Sequence, residues 1–491
     1  MAYSLVARQQ RCGNSAANKY PSGGLWHSLE THGWELFIKA LDNSSLDDRT
    51  YPTDNGTSLL LGSPTNIPAL RQLACIFDSS ALTAGSAHLM RLLYSTLGAA
   101  AFALVEGPFN YLEFRADSVF MANDPLGMQP LHIVRGETLW VSSELKHIGQ
   151  VEPLVFQFFS EESVLQLGPR PDDYLPIHNA VRLKPGTCAT IYSDGLRNSY
   201  TNTTQYLVTR LSATQSLTVP IAKRCIADLI GSMVESCVSM PGQLFIPLSG
   251  GLDSSMVTAF AVRHRQDIKT FALGSGISNE FPFAKKVSDH LHTEHHELNF
   301  SEDDIVGGID LAIYHNEIFD GLSAEIQSPL MCFYRSVGSR GARVVTGYGS
   351  DLLFGGVLSS DERMLDVNDK LWSQIYKTRW TGEFSPFGAA AFGLDVQHPF
   401  WRPKVIGFAM SLAPFLKLSE KDVKIALREC ASDLHILPDA IVWRKKLGIH
   451  EGSSINAIFA NHISHDTNDY KAKTQYCYEK YKRYMGGEAL P

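Results

Sequence analysis

An α+β domain followed by a parallel α/β domain is the architecture that the sequence predicts, on three observations. Residues 57–205 hold short apolar runs of strand length around one segment with helical spacing. From about residue 218 long helical stretches alternate with short buried strands, the pattern of a parallel sheet. Within that second part, Leu244-Phe245-Ile246-Pro247-Leu248, the small residues Ser249-Gly250-Gly251-Leu252-Asp253-Ser254-Ser255, and Met256-Val257-Thr258-Ala259-Phe260 read as strand, loop and helix. Polar segments at 201–205 and 211–216 flank the boundary, which divides the chain into 1–210 and 211–491.

Taken in order, 57–62 is a predicted strand and 86–98 a helix, with apolar spacing and a terminal glycine. Strands follow at 111–114, 118–121, 132–134 and 139–141, separated by turns. In the second domain 270–274 and 343–346 are further strands. Ser328-Pro329 suits a helix start, with serine as cap and proline in the first turn.

The bulk properties exclude several classes. At 491 residues the chain has room for two or three cores. A net charge of −8 argues against a nucleic-acid footprint. Eight cysteines, at 12, 75, 188, 225, 237, 332, 430 and 477, form no CxxC pair. That fits free thiols in a reducing cytoplasm, not a disulfide scaffold or zinc site. The first residues lack an apolar signal core, and no run of membrane-spanning length is expected. A homo-oligomer is left open.

The strand–loop–helix at 244–260 carries the chemistry. Such a loop aims backbone N–H groups at an anion, and the helix dipole adds to the attraction. Two glycines allow close approach, and Asp253 suits a magnesium ion between phosphates. No lysine follows the glycines, so this is not a Walker A loop. The loop resembles the PP-loop of ATP pyrophosphatases, which cleave ATP between the α and β phosphates. A second loop, Gly347-Tyr348-Gly349-Ser350-Asp351, follows the strand at 343–346. Ligands gather at the carboxyl ends of parallel strands, so the two loops are expected to face each other. Asp351 is then a second magnesium ligand.

The N-terminal half resembles the glutaminase domain of asparagine synthetases. The matching blocks are Glu106-Gly107-Pro108-Phe109, Asn123-Asp124-Pro125-Leu126-Gly127-Met128-Gln129-Pro130-Leu131, Ser143-Glu144-Leu145-Lys146 and Arg182-Leu183-Lys184-Pro185-Gly186. The resemblance implies the α/β/β/α sandwich of an N-terminal-nucleophile hydrolase. Position 2 is Ala2, which has no nucleophilic atom, and Cys12 is internal. No arginine-glycine-proline-aspartate segment is present for glutamine. The expectation is a fold kept without its hydrolytic chemistry.

Asparagine synthetases carry a glutamate where this chain has Tyr348. That departure resembles the β-lactam synthetases, carbapenam synthetase in particular. The likeness runs through 314–328, Thr378-Arg379-Trp380-Thr381-Gly382-Glu383-Phe384, 393–401 and 441–454. It implies ATP- and magnesium-dependent closure of a β-amino acid to a lactam through an acyl-adenylate. Tyr348 and Glu383 match the family's base pair, Lys446 its charge-stabilising lysine, and Lys424 a phosphate-contacting lysine. The expected ATP site is Leu248, Ser249, Gly250, Gly251, Asp253, Ser254, Ser255, Leu273, Gly347 and Lys424. Asp320, Glu325, Gly349 and Ser350 are expected to line the substrate pocket. The resemblance leaves open a carbapenam or a tabtoxin-type product, an ammonia-using amide ligase, and a non-catalytic scaffold. Glutamine is expected neither to be hydrolysed nor to stimulate turnover; glutamate release by the pure protein would contradict this.

Overall fold

Period-two alternation of apolar residues builds the N-terminal half, and it is clear in the first strand. The computed structural model describes residues 3–9, 26–40, 46–136, 138–157, 175–192, 201–205, 217–275, 277, 279–358, 364–445 and 454–490. Strands β1 (Tyr3–Gln9), β2 (His27–Thr31), β3 (Trp34–Ala40), β8 (His132–Arg135), β9 (Leu139–Ser142) and β10 (Ala180–Arg182) form one antiparallel sheet, ordered β10-β8-β9-β1-β3-β2. Strands β4 (Thr50–Thr53), β5 (Gly56–Gly62), β6 (Phe109–Arg115), β7 (Ser118–Asn123), β11 (Thr187–Tyr192) and β12 (Thr201–Gln205) form a second, ordered β12-β11-β7-β6-β5-β4. Leu5 and Ala7 of β1 enter the core between the sheets with Leu59, Leu112 and Met121. Val6, one residue on, faces the opposite side and joins the core of the C-terminal half.

Helices α1 (Ile67–Ala74) and α2 (Ser86–Leu97) cover the outer face of the second sheet, where Leu89, Met90 and Leu93 pack with Tyr111 and Phe120. Among the described residues Ser86–Leu104 is the one helical stretch long and apolar enough to cross a membrane, a length not expected from the sequence. It packs one face on the sheet instead.

In the C-terminal half, α4 (Val219–Val238) leads into β13 (Leu244–Pro247), α5 (Leu252–Ala261), β14 (Ile268–Ser275), α6 (Phe281–Leu291) and β15 (Glu294–Phe300). Then come α7 (Glu302–Asn316), α8 (Gly321–Val337), β16 (Ala342–Val345), the short α9 (Ser350–Phe354) and β17 (Leu394–Gln397); the small α3 (Leu145–Gly149) belongs to the N-terminal half. The five strands are parallel, in the order β15-β14-β13-β16-β17. Chain order reverses at β13, so the carboxyl ends of β13 and β16 flank the switch point at which such sheets form their ligand crevice. Leu244 and Ile246 face α4 and α5, while Phe245 faces α7 and α8. Among the described residues the structure is mixed α/β with three sheets.

Two sequence expectations are corrected. The polar stretch 201–205 is the edge strand β12. Ser328-Pro329 does not start a helix: α8 begins at Gly321, where Asp320 accepts from the Ser323 N–H at 2.9 Å, and Pro329 lies inside it. Proline costs the helix its bond to the Glu325 carbonyl. The Ser328 hydroxyl donates to that carbonyl instead, at 3.1 Å.

Glu325 is also placed differently from the pocket lining expected. It is fully buried on α8 and ion-paired with the equally buried Lys473 of the C-terminal helix Tyr470–Met485. Lys473 donates further to the Thr467 carbonyl at 2.7 Å. Breaking a buried pair by removing one charge costs about 3–5 kcal/mol. Glu325→Gln should therefore lower the urea unfolding midpoint, and Glu325→Leu with Lys473→Met should restore most of it. Unchanged stability with lost activity would return Glu325 to the substrate pocket.

Candidate active site

The glycine loop is shaped by contacts that admit no side chain. Gly250 has φ +69°, and a Cβ there would lie 2.4 Å from the Phe283 carbonyl carbon. The Ser254 hydroxyl accepts from the Ser249 N–H at 3.2 Å, and Ser249 Oγ accepts from the Gly251 N–H at 3.2 Å. Gly251 precedes α5 without a side-chain cap, so the first-turn N–H groups of this ten-residue helix are presented to the crevice. Leu248 and Leu273 are buried at the strand ends beneath it, and Ser255 is fully buried within α5.

The second loop meets the first. A Cβ on Gly347 would come within 2.6 Å of the Ser254 nitrogen. The chain turns through Gly349, at φ +96°, into α9, and the Ser350 hydroxyl donates to Asp253 Oδ1 at 2.8 Å. Gly349 and Ser350 thus shape the junction of the loops.

Both loops converge on one cation. Lys424 Nζ lies 2.5 Å from Asp253 Oδ2 and 2.5 Å from Asp351 Oδ1. Burial by itself would push this ammonium down, but Asp253 and then Asp351 outweigh it and hold its pKa above the ordinary value. Gly356 makes the room, since a Cβ there would lie 2.0 Å from Asp351 Oδ1.

Three residues before Asp351, the Tyr348 hydroxyl donates a hydrogen bond to Glu383 Oε2. Glu383 Oε1 accepts from the Ser323 hydroxyl at 2.7 Å. The Tyr348 ring lies 4.7 Å from Phe384, which is stacked 4.2 Å from Trp401. Burial, and then the charge of Glu383, raise the Tyr348 pKa well above 10. The phenol is therefore protonated at neutral pH and donates to the carboxylate. Asp320 sits one turn away as the cap of α8; burial, and then Glu383, raise its pKa to about 6.

The structure thus gathers Asp253, Asp351, Lys424, Tyr348 and Glu383 at the carboxyl ends of β13 and β16, with Asp320 behind them. Glu325 is not among them. Lys446, Ala2 and Cys12 lie outside the described residues. Two neighbours escape sequence reasoning. Ser323 is one, visible only as the residue that Asp320 caps. Arg444 is the other: it donates to the Gly250 carbonyl at 3.4 Å, pairs with Glu280 and lies 3.6 Å over the Phe283 ring. Its signal is the basic run Arg444-Lys445-Lys446 in the sequence.

Known proteins are similar to this chain in sequence. Residues 226–385 and 388–484, just over half of the chain, match the asparagine synthase family, and residues 38–205 match the N-terminal region of carbapenam-3-carboxylate synthase. A carboxyethyl-arginine beta-lactam-synthase of Streptomyces clavuligerus is 27% identical over 430 residues, covering 86% of this chain and 80% of its own. A glutamine-hydrolyzing asparagine synthetase of Sandersonia aurantiaca is 25% identical over 488 residues, covering 90% and 84%. With the asparagine synthase match spanning both loops, Lys424 and the Tyr348–Glu383 pair, the chain belongs to the asparagine synthase family.

Proposed function

We propose that this member of an ATP-dependent amide-forming family closes a β-amino acid to a β-lactam. The carboxylate oxygen attacks the α-phosphorus of ATP, and pyrophosphate leaves. The amine of the same molecule then attacks the acyl carbon, gives up a proton, and AMP departs. The observation that carries this reading is the Tyr348–Glu383 hydrogen bond, three residues from the Asp351–Lys424–Asp253 cluster. Ring closure needs a proton acceptor beside the activated carboxyl, and a phenol backed by a carboxylate supplies one. The likeness to a beta-lactam-synthase points the same way.

The remaining roles follow from charge. The N–H groups at the start of α5 suit phosphate oxygens, and Lys424 adds a positive charge beside them. Asp253 and Asp351, two carboxylates aimed at one point, fit a hard oxygen-seeking cation; they would hold magnesium, which supplies charge neutralisation of the phosphates. Lys446 is assigned to the charge that develops on the acyl oxygen and on AMP. Holding amine and acyl carbon in one site supplies roughly 7–11 kcal/mol of the barrier reduction. We place the reaction in the cytoplasm, with a small β-amino acid as the partner.

Incubation with ATP, magnesium and candidate β-amino acids should yield AMP and pyrophosphate with a lactam product by mass spectrometry, and chelation should stop it. ADP and phosphate would sink the proposal, and an open-chain amide formed from ammonia would favour the asparagine synthetase-like reading.

Tyr348→Phe keeps the ring packing and removes the phenolic oxygen. Rapid quench should find acyl-adenylate formed as in the parent and ring closure slower by about 10²–10³-fold, the usual loss for one preorganised group. Ring closure at the parental rate would remove Tyr348 from the chemistry.

A further inference from the structure

The N-terminal half grips the segment that carries Glu383. Arg182, at the end of β10, is buried, yet its hydrogen-bond acceptors come from both halves of the chain. Nη1 donates to the Trp380 carbonyl at 3.0 Å, and Nη2 to the carbonyls of Gly127 at 3.0 Å and Arg379 at 3.2 Å. The guanidinium also lies 5.3 Å from the Trp380 ring centre. Arg379 reaches back and donates to the Pro185 carbonyl at 2.7 Å. The turn holding Gly127 is tied down by Asp124, which accepts from the N–H groups of Leu126, Met128 and Gln129. Gly127 has φ +68°, and a Cβ there would lie 2.0 Å from the Arg379 oxygen.

A second contact grips the other partner of Glu383. The Lys146 N–H donates to Glu317 Oε1 at 3.0 Å. Glu317, at φ +53°, starts the connection to Asp320, which caps α8 and so fixes Ser323, the donor to Glu383. The backbone just before Glu383 and the hydroxyl that donates to its Oε1 thus both trace back to the N-terminal half within a few residues.

A guanidinium is costly to bury, and its fork matches several carbonyls in a way an ammonium does not. We propose that Arg182 is a positioning residue for ring closure, holding Thr378–Phe384 so that Glu383 meets Tyr348; this rests on the reading of that pair as the proton acceptor. The N-terminal half then contributes to the synthetase reaction through geometry. Adenylation, which uses the glycine loop and the Asp253–Lys424–Asp351 cluster, does not depend on this grip.

The test uses the full chain with Arg182→Met, Arg182→Lys and Arg379→Lys. Rapid quench separates acyl-adenylate formation from ring closure, and hydrogen exchange compares residues 378–384 with 248–256. A misplacement of about 1 Å costs about 10²-fold in rate. Arg182→Met should slow ring closure by about that factor while adenylation holds, with partial recovery in Arg182→Lys. Exchange should rise in 378–384 and stay unchanged in 248–256. Parental ring closure in Arg182→Met overturns the proposal, as does a parallel fall of both steps with exchange rising in both segments. If Arg182→Met does not fold, Arg379→Lys carries the same comparison. If the parent forms no lactam, the proton-acceptor reading falls by itself. Exchange then decides the grip: a local rise supports it, and no rise overturns it.

Discussion

Two carboxylates from different loops share one buried ammonium, and the geometry of the site depends on it. Asp253 opens α5, Asp351 opens α9, and Lys424 stands before the helix Ile425–Asp433. Without the lysine, two negative charges would face each other across the crevice and push the loops apart. With it, the β13 and β16 loops are held at a common point, one ammonium answering two carboxylates. That balance suits a site expected to receive a cation together with phosphates. It also sets the position of Tyr348, three residues upstream of Asp351.

In the proposed reaction the two halves of the site have opposite electrostatic requirements. The glycine loop must present N–H groups and stay open to an anion. The tyrosine–glutamate pair must be shielded from water, so that their hydrogen bond is not competed away. The stacked Phe384 and Trp401 provide that shielding, with His398 edge-on to Phe384 at 5.0 Å and hydrogen-bonded to Thr346 at 2.7 Å. Thr346 in turn accepts from the Tyr348 N–H at 3.3 Å. In the proposed reaction, phosphate chemistry and proton acceptance would thus fall on neighbouring loops with different surroundings.

How much of this was legible in the sequence follows from how local each feature is. The glycine loop was legible because strand, glycines, aspartate and helix are contiguous. The β5 strand, the α2 helix and several hairpin strands were legible for the same reason. The pairing of β1 with β9 was not, because its partners lie far apart in the chain. Lys424 and Glu383 were named only by resemblance, since nothing near them in sequence marks a phosphate or proton site. Glu325 was misplaced because its partner, Lys473, lies 148 residues away, and a lone glutamate in a polar stretch reads as exposed. Pro329 misled because its compensation, a serine hydroxyl on the Glu325 carbonyl, is a three-dimensional feature.

Isotope tracing tests the central claim, that the two loops activate a carboxylate as its adenylate, most directly. A β-amino acid substrate labelled with ¹⁸O in its carboxylate should pass one labelled oxygen to AMP and keep the other in the lactam carbonyl. Unlabelled AMP, or label appearing in inorganic phosphate, would contradict it.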